Sequence, residues 1–277
     1  MALNNSSATP ALRPEVLVGA TVQTALLLLL DLTAGLGAPA WLVGAAFTVA
    51  TCALLTRALG ASAPFGPANA VTLCRTTLIG GVAALVAEDL AGAPHTAALA
   101  GLTSMALVLD AVDGRVARRT GTGSALGARF DMEADAFLIL VLSVHVAASL
   151  GAWVLLIGAM RYVFVAAARM LPWLNGPLPR STARKTVAAL QGIVLLVAAS
   201  GLVPPAVSGA LVIGALAMLG WSFGRDVAGL QRARVRRSDR AGSLSGTRRP
   251  GKIRTADPRP RAEAAAPGPS PSRTPAV

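Results

Sequence analysis

Five of the chain's 13 acidic residues fall within positions 110–135: Asp110, Asp113, Asp131, Glu133 and Asp135. They interrupt an apolar stretch, LVLDAVDGRVARRTGTGSALGARFDMEADAFLIL. A carboxylate at the end of an apolar helix is costly unless it meets a cation or an aqueous cavity, so acids placed this way are candidates for chemistry. On a helix of about 3.6 residues per turn, Asp110 and Asp113 lie about 60° apart, and Asp131 and Asp135 about 40° apart. Each helix therefore presents a pair of carboxylates on one face. The intervening RVARRTGTGSALGAR is short enough to make the two helices antiparallel neighbours with their pairs facing each other. Four carboxylates at one depth repel one another unless divalent cations sit between them, and hard oxygen donors select Mg²⁺ or Mn²⁺. Glu133 falls off this stripe and reads as a solvated or ion-paired residue.

Small residues keep the same register. Gly114 follows Asp110 by four, Ala117 follows Asp113 by four, and Gly127 precedes Asp131 by four. The acidic stripes thus lack bulk, so a large ligand can approach the backbone. Arg118, four after Gly114, adds a fork of donors suited to a diphosphate. The bland alternative is an interfacial loop whose Asp and Arg residues simply pair. Two helical acid pairs with three small residues in register argue against it.

The elements that must carry this cluster are apolar. The chain of 277 residues is 54% apolar and 14% charged, with a mean hydropathy of +0.61. Soluble domains carry about 25% charged residues, so an all-α, polytopic integral membrane protein is expected. A bilayer core needs about 20 apolar residues per helix. Eight such segments can be drawn, at 15–36, 38–60, 69–90, 94–117, 128–150, 152–172, 185–202 and 205–224. Pro64, Pro67, Pro94, Pro177, Pro179 and the Pro204–Pro205 pair mark clear breaks. The break at Gly151 rests on one glycine in continuous apolar sequence.

Charge asymmetry gives an orientation. Arg13, Arg57, Arg115, Arg118, Arg119, Arg129, Arg180, Arg184, Lys185 and Arg225 all fall at one set of ends, and Asp31, Glu88, Asp89 and His95 at the other. This pattern predicts both termini, and the acid cluster, on the cytoplasmic side of a cell (inner) membrane. The net charge is +12, and residues 226–277 alone hold 12 Lys/Arg against 4 Asp/Glu. With the body close to neutral, nucleic-acid binding loses its support, and the tail reads as a disordered, basic cytoplasmic extension. It is expected to be dispensable for catalysis. Residues 1–14 read as disordered too, without the charged and apolar regions of a removable signal peptide. Cys52 and Cys74 lie in apolar segments without ligand spacing and read as reduced packing residues. Arg-over-Lys, Ala-rich usage points to a bacterial, high-GC coding sequence.

Taken together, Asp110-x2-Asp113-Gly114-x2-Ala117-Arg118-x8-Gly127-x3-Asp131-x3-Asp135 resembles the signature of the CDP-alcohol phosphatidyltransferases, with every fixed position filled. The resemblance covers residues 66–225, the family's six-helix core. Residues 15–65 would then be two additional helices. It implies a two-metal site in which Asp110, Asp113, Asp131 and Asp135 bind Mg²⁺ or Mn²⁺, with Asp135 also the base for the acceptor hydroxyl. It implies that Gly114, Ala117, Arg118 and Gly127 contact the CDP part of a donor such as CDP-diacylglycerol. The acceptor would be a small alcohol, and family analogy adds a homodimer.

Weaker signals lie outside the motif. Asn69, Thr72 and Arg75, three apart, are similar to the Asn-x2-Thr-x2-Arg opening of the family's first core helix and suggest a donor role. Asn69 is equally an N-cap and Arg75 equally a positive-inside anchor. Arg161 sits about 15 Å deep in its helix, which favours an inward, site-facing role. Arg184-Lys185-Thr186 resembles a Lys-Thr segment of several members. With Arg161 these residues suggest a phosphorylated acceptor, glycerol-3-phosphate or inositol phosphate. His145 lies far along its helix from Asp135 and reads as packing.

Two other classes compete. A membrane prenyltransferase also binds a lipid diphosphate through aspartates, but its Asp-rich motifs normally lie far apart in sequence. A cation-coupled transporter carries intramembrane acids, but near the midplane rather than at helix ends.

Overall fold

Apolar runs rich in Ala and Leu, punctuated by proline and glycine, become α-helices. The computed structural model describes residues 14–58, 67–120, 125–171, 173 and 182–246. Among them are α1 (Pro14–Ala34), α2 (Ala38–Ala58), α3 (Pro67–Leu90), α4 (Thr96–Thr120), α5 (Ala125–Leu150), α6 (Leu155–Met170), α7 (Thr182–Ala199) and α8 (Pro205–Gly246). No strand occurs among the described residues. Proline opens α1, α3 and α8, where its missing N–H costs nothing. Gly35 ends α1 at φ 72°, its N–H donating to the Asp31 carbonyl at 2.8 Å. Gly151 separates α5 from the one-turn 3-10 helix Ala152–Val154 at φ 104°. Only glycine adopts that conformation without strain, so one residue suffices for this break.

Among the described residues, six helices are long and apolar enough to cross a membrane: Val16–Ala34, Ala38–Thr56, Val71–Leu90, Phe130–Leu150, Ala152–Met170 and Pro205–Arg232. The apolar parts of α4 and α7, Thr96–Val112 and Thr186–Ala199, are shorter. Of the eight expected spans, six reach membrane length among the described residues. Leu17, Leu32, Val49, Leu54, Ile213 and Trp221 are exposed, an apolar outer surface that water would not tolerate and lipid would. This is a multi-pass membrane protein.

Residues 1–233 form one compact unit and residues 234–277 a second, of which 234–246 are helical. The first unit is built around α3, which packs against α1, α2, α4 and α5. Its Val71–Leu90 stretch is 67% buried, against 28% or less for the other candidate spans. Gly80 and Gly81 permit this crowding: a Cβ on the first would lie 2.6 Å from Phe47 of α2, and on the second 2.8 Å from Leu102 of α4. Polar contacts fix the end of α3 that lies far from Asp110. The Glu88 carboxylate accepts the Gly37 N–H at 2.9 Å, holding the α1–α2 turn, and Asp89 lies 2.7 Å from His145 Nδ1 of α5. The ends of α3 and α5 thus meet at His145 and Asp89.

The α5–α6 contact is equally close. A Cβ on Gly158 would lie 2.6 Å from the Leu140 Cα, a backbone atom that no rotamer change can move. Gly158→Ala is expected to push α6 off α5 at a cost of about 1–3 kcal/mol, read as a lower unfolding midpoint in detergent.

The tail departs from expectation at its start. Residues 226–246, read from sequence as disordered, are helical as part of α8. Leu230 is 5% exposed and, with Val227, packs against Phe164, Ala167, Ala168 and Trp173. These two apolar residues, three apart, lie within the apolar stretch Pro205–Arg232 and anchor it against α6. Arg225 also sits 5.0 Å over the Trp221 ring, a cation–π pair suited to an interface. Residues 1–13 and 247–277, expected to be disordered, lie outside the described residues. Deleting 247–277 should leave the detergent unfolding midpoint unchanged. Leu230→Ala, or deletion from Val227 onward, should cost about 2 kcal/mol.

Candidate active site

The start of α3, the later part of α4 and the start of α5 meet at one end of the bundle. Arg75 comes from α3, Asp110 from α4, and Asp131 and Asp135 from α5. One oxygen from each of the three carboxylates lies within 4.8 Å of the others. These three acids therefore converge at one end of the bundle. The backbone of α4 also carries Asp113, Gly114, Ala117 and Arg118, and that of α5 carries Gly127. Their side-chain positions lie outside the described residues, as do those of Asn69, Arg180, Arg184 and Lys185.

Arg75 is fully buried and makes the floor of this acid cup. Its Nη1 donates to Asp110 Oδ1 and its Nη2 to Asp131 Oδ1. The same Nη2 donates to the Asp131 carbonyl at 3.3 Å and lies 3.3 Å from Asp135 Oδ1. The three carboxylates are 34–40% exposed, whereas the Arg75 side chain is 1% exposed. The cup therefore opens away from the arginine. Reading Arg75 as a positive-inside anchor is corrected by this burial, since an anchor would reach water. One signal could have revealed the contact. A buried arginine needs acidic partners, and α3 offers none before Glu88.

Arg161 departs from the expected site-facing role. Its guanidinium pairs with Glu133, Nε lying 3.3 Å from Oε2. Glu133 is two residues from both Asp131 and Asp135, hence about 160° around α5 from each. The face of α5 that receives Arg161 is thus the one turned from the acid stripe. Glu133 is accordingly ion-paired and partly exposed.

The donor set fits a divalent ion. Trans oxygens around Mg²⁺ stand about 4.2 Å apart, at roughly 2.1 Å from the ion. Carboxylate oxygens already within 4.8 Å need only a small rotation to share one ion. All are hard donors, and none is a thiolate or imidazole.

Residues 65–221 match the family model for CDP-alcohol phosphatidyltransferase. The chain belongs to this family. Comparison with curated proteins and with solved structures gives no match. The matched region begins just before α3, and α1 and α2 precede it. Family membership makes the protein a membrane transferase and removes the prenyltransferase and transporter alternatives. The family uses divalent metal, and Asp110, Asp131 and Asp135 form the cluster able to hold it.

Proposed function

We propose that this protein transfers a phosphatidyl or related group from a CDP-lipid such as CDP-diacylglycerol to a hydroxyl acceptor, releasing CMP, in phospholipid synthesis. The observation that carries this reading is the convergence of Asp110, Asp131 and Asp135 at one end of a membrane bundle. That end faces the cytoplasm if the basic loops do. There a water-soluble nucleotide leaving group and a lipid-borne phosphate can share one site.

Asp110, Asp113, Asp131 and Asp135 would hold two Mg²⁺ or Mn²⁺ ions, which supply charge neutralisation for the diphosphate and the departing phosphate. Asp135 takes the proton from the acceptor hydroxyl. The acceptor oxygen then attacks the phosphorus bearing the lipid, and the bond from that phosphorus to the CMP oxygen breaks in line. CMP leaves with the electron pair of that bond. Gly114, Ala117 and Gly127 leave room for the nucleotide, and Arg118 meets the diphosphate with its forked donors. Asn69 and Thr72, near the start of α3, would add donor contacts.

Arg184 and Lys185, at the start of α7, are the basic residues left to recognise an acceptor phosphate. The end of α7 approaches the start of α4, with Gly201 near Thr96, so its start lies towards the acid end. This supports glycerol-3-phosphate or inositol phosphate as acceptor. The decisive assay combines purified protein, CDP-diacylglycerol and Mg²⁺ with phosphorylated and unphosphorylated alcohols. CMP release dependent on a phosphorylated alcohol is expected, with Lys185→Ala raising its KM. Preference for free inositol or serine would overturn the acceptor assignment, and absence of CMP release with every alcohol would overturn the reaction.

A further inference from the structure

The carboxylate cup has a cation built into its floor, and that cation is part of the protein. Arg75 is fully buried and reaches acids on two other helices, Asp110 on α4 and Asp131 and Asp135 on α5. We propose that Arg75 is a positioning residue that holds these acids convergent while keeping the cluster's affinity for divalent ions low. The inference rests on the metal-dependent reading above.

Two opposing effects follow from the geometry. Convergent carboxylates repel, and a guanidinium among them offsets that repulsion, so the cup keeps its shape through the protein's own charge. The same charge works against an incoming ion. A metal bound at roughly 2.1 Å to oxygens that also accept from the guanidinium lies within about 5 Å of it. Like charges at that distance, over a floor shielded from water, repel more strongly than they would in bulk solvent. The guanidinium also occupies lone pairs on Asp110 and Asp131 that a metal would use. Arg75 therefore trades ion affinity for preorganisation, which favours an ion that exchanges as nucleotide comes and goes.

The test is Mn²⁺ binding to purified full-length protein without substrate, followed by electron paramagnetic resonance, with unfolding midpoints in EDTA and in Mn²⁺. Arg75→Gln should bind Mn²⁺ at least tenfold more tightly than wild type. It should also unfold at a lower temperature in EDTA and gain more from added Mn²⁺. Arg75→Lys keeps the charge but loses the fork, so its affinity should fall between the two. A purely structural role would lower the midpoint equally in both conditions and leave Mn²⁺ affinity unchanged, which overturns the proposal. So would weaker Mn²⁺ binding by a folded Gln variant. If the Gln variant folds in neither condition, the Lys variant decides: tighter binding than wild type supports the proposal, and equal or weaker binding overturns it. Failure of wild type itself to bind Mn²⁺ would sink the metal reading instead, a result separate from any shift between variants.

Discussion

Asparagine at Asp110, Asp113 or Asp131 is expected to lower CMP release by about three orders of magnitude or more, each change alone. The size follows from what is removed. Asparagine keeps the shape and one oxygen donor but deletes a charge from a site that must balance two dications and a diphosphate. Loss of a single preorganised charge partner in a catalytic site costs about 10²–10³ in rate, and loss of an ion adds to it. Chelation by EDTA should silence the wild type, and Mg²⁺ or Mn²⁺ should restore it. Glu133→Gln is the internal control. It sits two residues from both Asp131 and Asp135 but pairs with Arg161 on another face, so its activity should stay within about twofold of wild type, as for other partly exposed ion pairs. Full turnover in EDTA, or an Asp131→Asn enzyme as active as Glu133→Gln, would refute the metal site.

That contrast between neighbouring acids shows what was legible in the sequence. Helical periodicity places Asp131 and Asp135 on one stripe and Glu133 off it, because azimuth around a single helix follows from residue number alone. Helix breaks were legible for the same local reason: Pro67 and Pro205 open helices, and Gly151 closes one. What was not legible is which residue of one helix meets which residue of another. Arg75 could be assigned its place on α3 but not its contact with acids 35 and 56 residues away. Arg161 failed for the same reason, since depth along α6 says nothing of which face of α5 it meets. The start of the tail failed differently. Val227 and Leu230 stand among arginines, alanines and glycines without a sustained apolar period, and their burial against Phe164 and Trp173 is tertiary.

Arg118→Ala is expected to reduce kcat/KM for the CDP-lipid by about 10–100-fold while leaving the acceptor KM within about twofold. Arg118 lies eight residues beyond Asp110 on α4, about 80° around the helix from it and one turn past Gly114. On the proposed reading, the nucleotide half of the donor extends along this part of α4. Charge-assisted hydrogen bonds from a guanidinium to a phosphate oxygen contribute about 1.5–3 kcal/mol each, which is about 10–150-fold per contact. Since CMP keeps one of the two phosphates, product inhibition by CMP should weaken in the same variant. Arg118→Lys should recover only part of the loss, because an ammonium replaces a planar fork with a point charge. Steady-state kinetics with each substrate varied in turn would decide the matter. A change confined to the acceptor KM, with CDP-lipid use and CMP inhibition unaltered, would move Arg118 from the donor to the acceptor side of the site.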